Sequence, residues 1–163
     1  MIILGIDPGY ATLGFGVIKK ETNSLVPIEY GIVTTPKDES LPVRLAMIDE
    51  KITRLLEKHK PNAVALEELF FAANVKTGIQ VAQARGVVTV CAIKACGNLF
   101  EYTPLQVKQA LTGNGRADKH QIQFMTKAIL GLNEIPRPDD AADALAVAIC
   151  HANTNDYSKR YFN

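Results

Sequence analysis

The chain has 163 residues, a formal net charge of +1 and 47% hydrophobic residues, which suits one globular domain with its own core. No apolar run reaches the roughly 18 to 20 residues a membrane helix needs, and no basic region precedes an apolar one at the N-terminus, so neither a spanning helix nor a secretory signal is expected. The near-zero charge leaves a nucleic-acid partner open, because local patches decide that question.

The first element reads as a strand over 2–7, "IILGID", followed at once by Pro8 and Gly9. "GFGVIKK" and "LVPIEYGIVTT" read as two more strands, with Asn23 and Ser24 in the turn between them, so an antiparallel meander is expected. The period then changes. In "LPVRLAMIDEKITRLLEKHKP", Leu45, Ile48, Ile52, Leu55 and Leu56 fall on one helical face, and Pro61 closes the segment. "NAVALEELF" is a short apolar strand. "TGIQVAQARGVVTVCAIKACG" contains the β-branched run "VVTV", but its length, its alanines and Gly97 as a stop favour a helix. Gly86 inside it costs about 1 kcal/mol relative to Ala, and marks either a close helix approach or a tolerated gap.

"LFEYTP" reads as the last strand. The helices "PLQVKQALTG", "DKHQIQFMTKAILGL" and "DDAADALAVAICHAN" follow, and the polar and aromatic tail "TNDYSKRYFN" is expected to fray. Residues 1–154 thus form one domain and 155–163 a flexible tail. The order of elements predicts an α/β fold, a mixed sheet with helices on its faces. Cys91, Cys96 and Cys150 match no zinc or redox spacing and read as buried free thiols in a reducing compartment.

The chemistry lies in the acids. Burying an ionised Asp7 costs several kcal/mol unless something pairs with it. Glu67 and Glu68 end the fourth strand. In open α/β sheets, ligands sit outside the carboxyl ends of the strands, so adjacent first and fourth strands would bring Asp7 and one of those glutamates together. Asp140 and Asp143 stand at i and i+3 on the last helix and share a face. The apolar "ALAVAIC" of that helix packs on the sheet and sets them at its rim. Carboxylates this close repel unless hard divalent cations lie between them, and an all-oxygen set suits Mg²⁺ or Mn²⁺ rather than zinc. Taken singly, each acid has a plainer reading: Asp139 as a helix N-cap behind "PRP", Glu68 as a solvated strand end, Asp7 as a turn former. A phosphate loop of an actin-like or sugar-kinase fold also begins with a strand, an Asp and a glycine turn.

The stretch "TPLQVKQALTGNGRADKHQIQFM" carries Lys108, Arg116, Lys119 and His120 against one acid, Asp118. Its inner "GNGRADK" is a Gly-rich basic loop running into a helix start, suited to phosphates, or else a solvated loop with Asp118 as N-cap. Phe70, directly after the acidic strand end, is either core or a base-stacking group.

Together, "GIDPGYATLGFGVI", "ALEELFFAAN", "QARGV", "TPLQVKQALTGNGRADK" and "DDAADALAVAI" resemble the RuvC family of bacterial Holliday junction resolvases. The match covers nearly the whole chain, and several motifs occur in the right order. The resemblance implies an RNase H-like fold with a mixed five-stranded sheet, three antiparallel strands followed by parallel ones. It implies Asp7, Glu67, Asp140 and Asp143 as catalytic metal ligands for two Mg²⁺ ions, with Mn²⁺ a substitute. Glu67 is preferred to Glu68 because the family's stacking aromatic follows three residues later, at Phe70. Asp140 is preferred to Asp139 by the Asp-Ala-Ala-Asp pattern. Lys108 and Lys119 fall on the phosphate-binding lysines, with Lys119 also catalytic, and Arg116 is expected to hold the DNA backbone. The implied activity is paired symmetric nicking of four-way DNA junctions by two-metal hydrolysis, in recombination and repair. A cytoplasmic homodimer working with the RuvA–RuvB branch-migration complex is implied, with residues 78–96 supplying part of the dimer surface. The rival readings are a junction binder without nuclease activity, a general RNase H-type nuclease and an actin-like phosphotransferase.

Overall fold

The computed structural model describes residues 1–68 and 75–154. The chain runs β1 (Ile2–Asp7), β2 (Thr12–Lys20), β3 (Leu25–Thr34), α1 (Leu41–His59), β4 (Ala63–Glu67), α2 (Val75–Cys96), β5 (Leu99–Tyr102), α3 (Pro104–Thr112), α4 (Lys119–Ile129) and α5 (Asp139–Asn153). The strands form one sheet in the order β3-β2-β1-β4-β5. β1, β2 and β3 pair antiparallel, while β4 joins β1, and β5 joins β4, in parallel. This is the expected meander followed by parallel strands.

Both faces of the sheet are covered, and the period of two sorts the side chains between them. Leu4, Ile6, Leu13, Phe15, Val17, Val64, Leu66 and Leu99 join α1 and α2 residues such as Ile48, Ile52, Ala84 and Val88 in one apolar cluster. Ile3, Ile18, Ala63, Ala65, Phe100 and Tyr102 point the other way, into a cluster built around α5. α5 is buried from Ala141 to Ala152 except at Asp143, so it is a core helix with a polar N-terminal end. Burying so alanine-rich a helix brings its backbone close to the sheet.

Glycines in the strands permit that approach. A Cβ at Gly5 would lie 2.2 Å from the Ala144 carbonyl oxygen, one at Gly14 2.0 Å from the Asp140 carbonyl oxygen, and one at Gly16 2.7 Å from Leu145 Cδ2. These glycines form a notch in β1 and β2 that receives α5. Nothing in their local sequence pattern marks them for this role.

The helix ends follow local chemistry. Asp118 caps α4, accepting from the Gln121 backbone N–H at 2.8 Å, while the Gln121 side chain accepts from the Asp118 N–H at 2.9 Å. Thr103 and Gln106 form the same reciprocal box on α3. Asp139 is not the cap of α5. Pro138 occupies that position in extended conformation, and Asp139 is the first helical residue. Its carboxylate still meets the positive end of the helix dipole, but its partners are Lys119 and Arg137. Gly86 is not a close approach within the chain either, since a Cβ there meets nothing within 4 Å. The three cysteines are free; Cys91 and Cys150 are buried as expected, whereas Cys96 is only half-buried. No helix among the described residues is long and apolar enough to cross a membrane.

Candidate active site

Five elements meet at one end of the sheet, on its α5 face: β1, β4, α3, α4 and α5. Ile3 and Ala63 are in register and face α5, so the alternation carries two parallel strands upward to Asp7 and Glu67 on the same face. Adjacent strands lie about 4.8 Å apart, which makes the two carboxylates neighbours. Glu68 has the opposite parity, and its backbone N–H donates to the Tyr102 carbonyl oxygen at 2.8 Å. Strand geometry therefore puts Glu67, and not Glu68, on the face of Asp7. From above, α5 delivers Asp140 and Asp143, one turn apart. Gly14 is the residue paired with Asp7 across β1 and β2, and it is also the point where the Asp140 backbone touches the sheet. The glycine notch thus sets the height of both aspartates over Asp7.

α3 and α4 close the remaining side. Glu67, Pro104, Val107, Lys108, Lys119, Ile122 and Asp143 line a cleft of about 210 Å³ there. Lys119 starts α4, and its Nζ lies 3.2 Å from Asp139 Oδ2 and 3.3 Å from Asp143 Oδ2. Arg116 is exposed on the α3–α4 loop and does not line this cleft. Phe70 lies outside the described residues, as does the tail from residue 155 onward.

The electrostatics follow from this geometry. Burial, followed by the charges of Glu67, Asp143 and Asp140, pushes the Asp7 carboxyl up to about 7, and Lys119 only partly offsets this. Burial and the neighbouring Asp143 raise Glu67 above the usual carboxylate range, against Lys108 and Lys119. Asp143 is raised by burial despite its contact with Lys119. Burial pulls Lys119 down, but Asp143 and Asp139 more than compensate and hold its ammonium charged. Asp139 moves the other way, lowered by its hydrogen bond to Lys119. It is a surface ion-pair partner, distinct from the buried acids.

Asp7, Glu67, Asp140 and Asp143 therefore face two lysines, Lys108 and Lys119, and negative charge is left uncompensated. The donors are all carboxylate oxygens, which suits a hard divalent cation. Among the described residues, no three carboxylates, histidines or cysteines converge on one point as a ready-made metal cage. The donor set fits such a cation in its chemistry and charge, and it is not drawn together about a common centre.

Comparison with known proteins bears on this site. The model of the family "Crossover junction endodeoxyribonuclease RuvC" matches residues 3–151. Among curated relatives, the RuvC crossover junction endodeoxyribonuclease of Alkaliphilus oremlandii is 52% identical over 161 residues, covering 99% of this chain and 98% of that protein. That of Rubrobacter xylanophilus is 56% identical over 151 residues, covering 93% and 84%. Thermus thermophilus RuvC superposes with a TM-score of 0.86 at 39% identity, covering 94% of each chain. The same protein has been solved in complex with a Holliday junction substrate. Yeast mitochondrial Ydc2 shares the fold at 13% identity and a TM-score of 0.68. With a family model spanning nearly all of its length and relatives above half identity, this chain belongs to the RuvC family of crossover junction endodeoxyribonucleases.

Proposed function

We propose that this protein is a divalent-metal-dependent endonuclease that resolves four-way DNA junctions by paired nicks in strands of like polarity. The observation that carries the reading is the half-buried, mutually repelling set of Asp7, Glu67 and Asp143, with Asp140 one turn away and Lys119 against Asp143, in a chain of this family. These four carboxylates would hold the cations, with Mg²⁺ first and Mn²⁺ as substitute. Bound there, divalent cations supply an activated water and charge stabilisation for the leaving 3′-oxygen.

The chain's own residues do the rest. Lys119 is held charged at the mouth of the cleft and neutralises charge developing on the scissile phosphate. Lys108 lines the same cleft beside Glu67 and anchors the neighbouring phosphate. Arg116, outside the cleft, is placed to hold the DNA backbone further along. Phe70 is assigned to unstacked bases at the crossover. The products are 5′-phosphate and 3′-hydroxyl ends.

Paired nicking needs two sites, and the protein is proposed to act as a homodimer. The outer face of α1 and α2 supports this: Leu45, Ala46, Asp49, Gly86, Val87 and Val90 line an open, mostly apolar groove, and Val90 and Ile79 are more than half exposed. Cooperation with a RuvA–RuvB branch-migration complex, and a cytoplasmic location beside the chromosome, belong to the same proposal.

The test is a nicking assay on a labelled synthetic four-way junction with Mg²⁺, beside linear duplex, an RNA–DNA hybrid and an Asp7→Asn control. Symmetric paired nicks in the junction alone, absent from the control, are expected. Junction binding without cutting under several metals would overturn the nuclease assignment. Cutting of the hybrid in preference to the junction would replace it with a general RNase H activity.

A further inference from the structure

The α3–α4 hairpin has two working sides. Lys119 and Ile122 of α4 face the catalytic cleft. His120 and Phe124, at i and i+4, share a different face, as do Gln121 and Met125 beside them. This second face opens into a separate cleft of about 440 Å³, whose lining also includes Asn114. Phe124 is 55% exposed, although burying a Phe elsewhere in this chain is the rule at Phe15 and Phe100. An aromatic floor with amide and imidazole groups at its rim suits a ligand that is flat, partly apolar and rich in hydrogen-bonding edges.

The charge of the hairpin favours a nucleic-acid occupant. From Pro104 to Ile129 the basic residues are Lys108, Arg116, Lys119 and Lys127, and the single acid is Asp118. Lys108 and Lys119 line the catalytic cleft, while the exposed Arg116 stands between Asn114 and Ala117, which both line the second one. Asp118 is engaged in capping α4. The cleft stands beside the catalytic one on the same hairpin: consecutive residues at the start of α4 line the two, Lys119 the catalytic cleft and His120 the second.

We propose that this second cleft is a nucleotide subsite, in which Phe124 stacks on an unstacked base of the junction strand. Asn114, His120 and Gln121 contact the edge of that base and its phosphate. The inference rests on the junction-cleaving function proposed above, and it adds a contact that positions the strand outside the scissile phosphate. The second cleft lies across one helix, about 10 Å, from the catalytic one, so the occupant lies within a few nucleotides of the cut.

The experiment places 2-aminopurine singly at each position within about five nucleotides of the cleaved phosphate. Fluorescence is read on binding to protein in an Asp7→Asn background, which prevents cutting. Stacking on an aromatic ring should change the signal at one or two of these positions. Phe124→Ala should abolish that change, and Phe124→Tyr should retain it. In the otherwise native chain, Phe124→Ala should weaken junction binding by roughly 5- to 140-fold, the range for loss of one base–aromatic stack. Nicking at saturating junction should change less than about threefold. Circular dichroism melts check that the exposed Phe124 can be replaced without unfolding. If Phe124→Ala binds junctions and perturbs every probe position as the parent does, the subsite is refuted. If the parent itself shows no preference for junctions over duplex, the proposed function fails instead, and the two failures are distinguishable.

Discussion

Replacing Asp7 by Asn should stabilise the metal-free protein while ending cleavage. The Asp7 carboxyl is raised from 3.8 to about 7 by burial and by Glu67, Asp143 and Asp140. Below 3.8 the group is protonated in both folded and unfolded chains and contributes nothing. Between 3.8 and about 7 the unfolded chain ionises while the folded chain holds its proton, so stability falls as pH rises through that window. Above it the deficit is constant. At about 1.36 kcal/mol per unit, the full deficit is roughly 4 kcal/mol, an upper bound because the Asn amide must also be desolvated. For a chain of this size, that corresponds to roughly 8 to 16 °C in melting temperature.

The assay is urea unfolding of both proteins in EDTA from pH 4 to 8.5. The two curves should converge near pH 4 and separate as pH rises, with the variant on top. His151 works in the opposite direction, since burial and then Lys20 lower it to about 4. Its stabilising contribution is lost as pH falls from 6.5 through about 4, equally in both proteins, and cancels in the difference. Adding Mg²⁺ should then stabilise the native chain more than the variant. An Asp7→Asn protein no more stable than its parent at pH 8, with a parallel pH profile, would refute the argument that Asp7 sits in uncompensated negative charge.

Lys119→Ala should lower the nicking rate by about 100-fold and reduce the salt dependence of junction binding by about one unit of slope; an unchanged rate at saturating junction would remove Lys119 from the chemistry. Gly5→Ala forces a methyl group against the Ala144 carbonyl and the Ala148 backbone, so α5 must shift. A loss of roughly 1 to 3 kcal/mol or more is expected, together with loss of nicking because α5 carries Asp140 and Asp143, and a native melting temperature would contradict the notch. Tyr102→Phe removes the hydroxyl that lies 2.7 Å from His151 Nδ1 in the core. About 1 to 3 kcal/mol should be lost in urea titrations, with nicking by the folded fraction intact.

Much of this protein was legible from its chain. Period-two and period-3.6 patterns marked the strands and helices, because each element buries one face and local spacing records it. The spacing of Asp140 and Asp143 put them on one helical face, and the capping role of Asp118 followed from its place before α4. The motifs together identified the family, which carried Asp7, Glu67, Lys108 and Lys119 to their positions.

Other features depended on contacts between residues far apart in sequence. The choice of Glu67 over Glu68 became physical only when β4 paired in parallel with β1, since register decides which carboxylate faces Asp7. Asp139 looked like a cap from its neighbours, yet α5 takes Pro138 as its cap and starts at Asp139, whose carboxylate pairs with Lys119 across the site. Gly5, Gly14 and Gly16 looked like ordinary strand glycines, and only the docking of α5 showed that their missing side chains set the height of Asp140 and Asp143 over Asp7. The sequence by itself determined which elements form and which residue types could do the chemistry, because propensity and periodicity act over a few residues. Tertiary structure alone decided which carboxylates share buried, uncompensated charge, because desolvation and Coulomb repulsion depend on distances that only the packed sheet and helix establish.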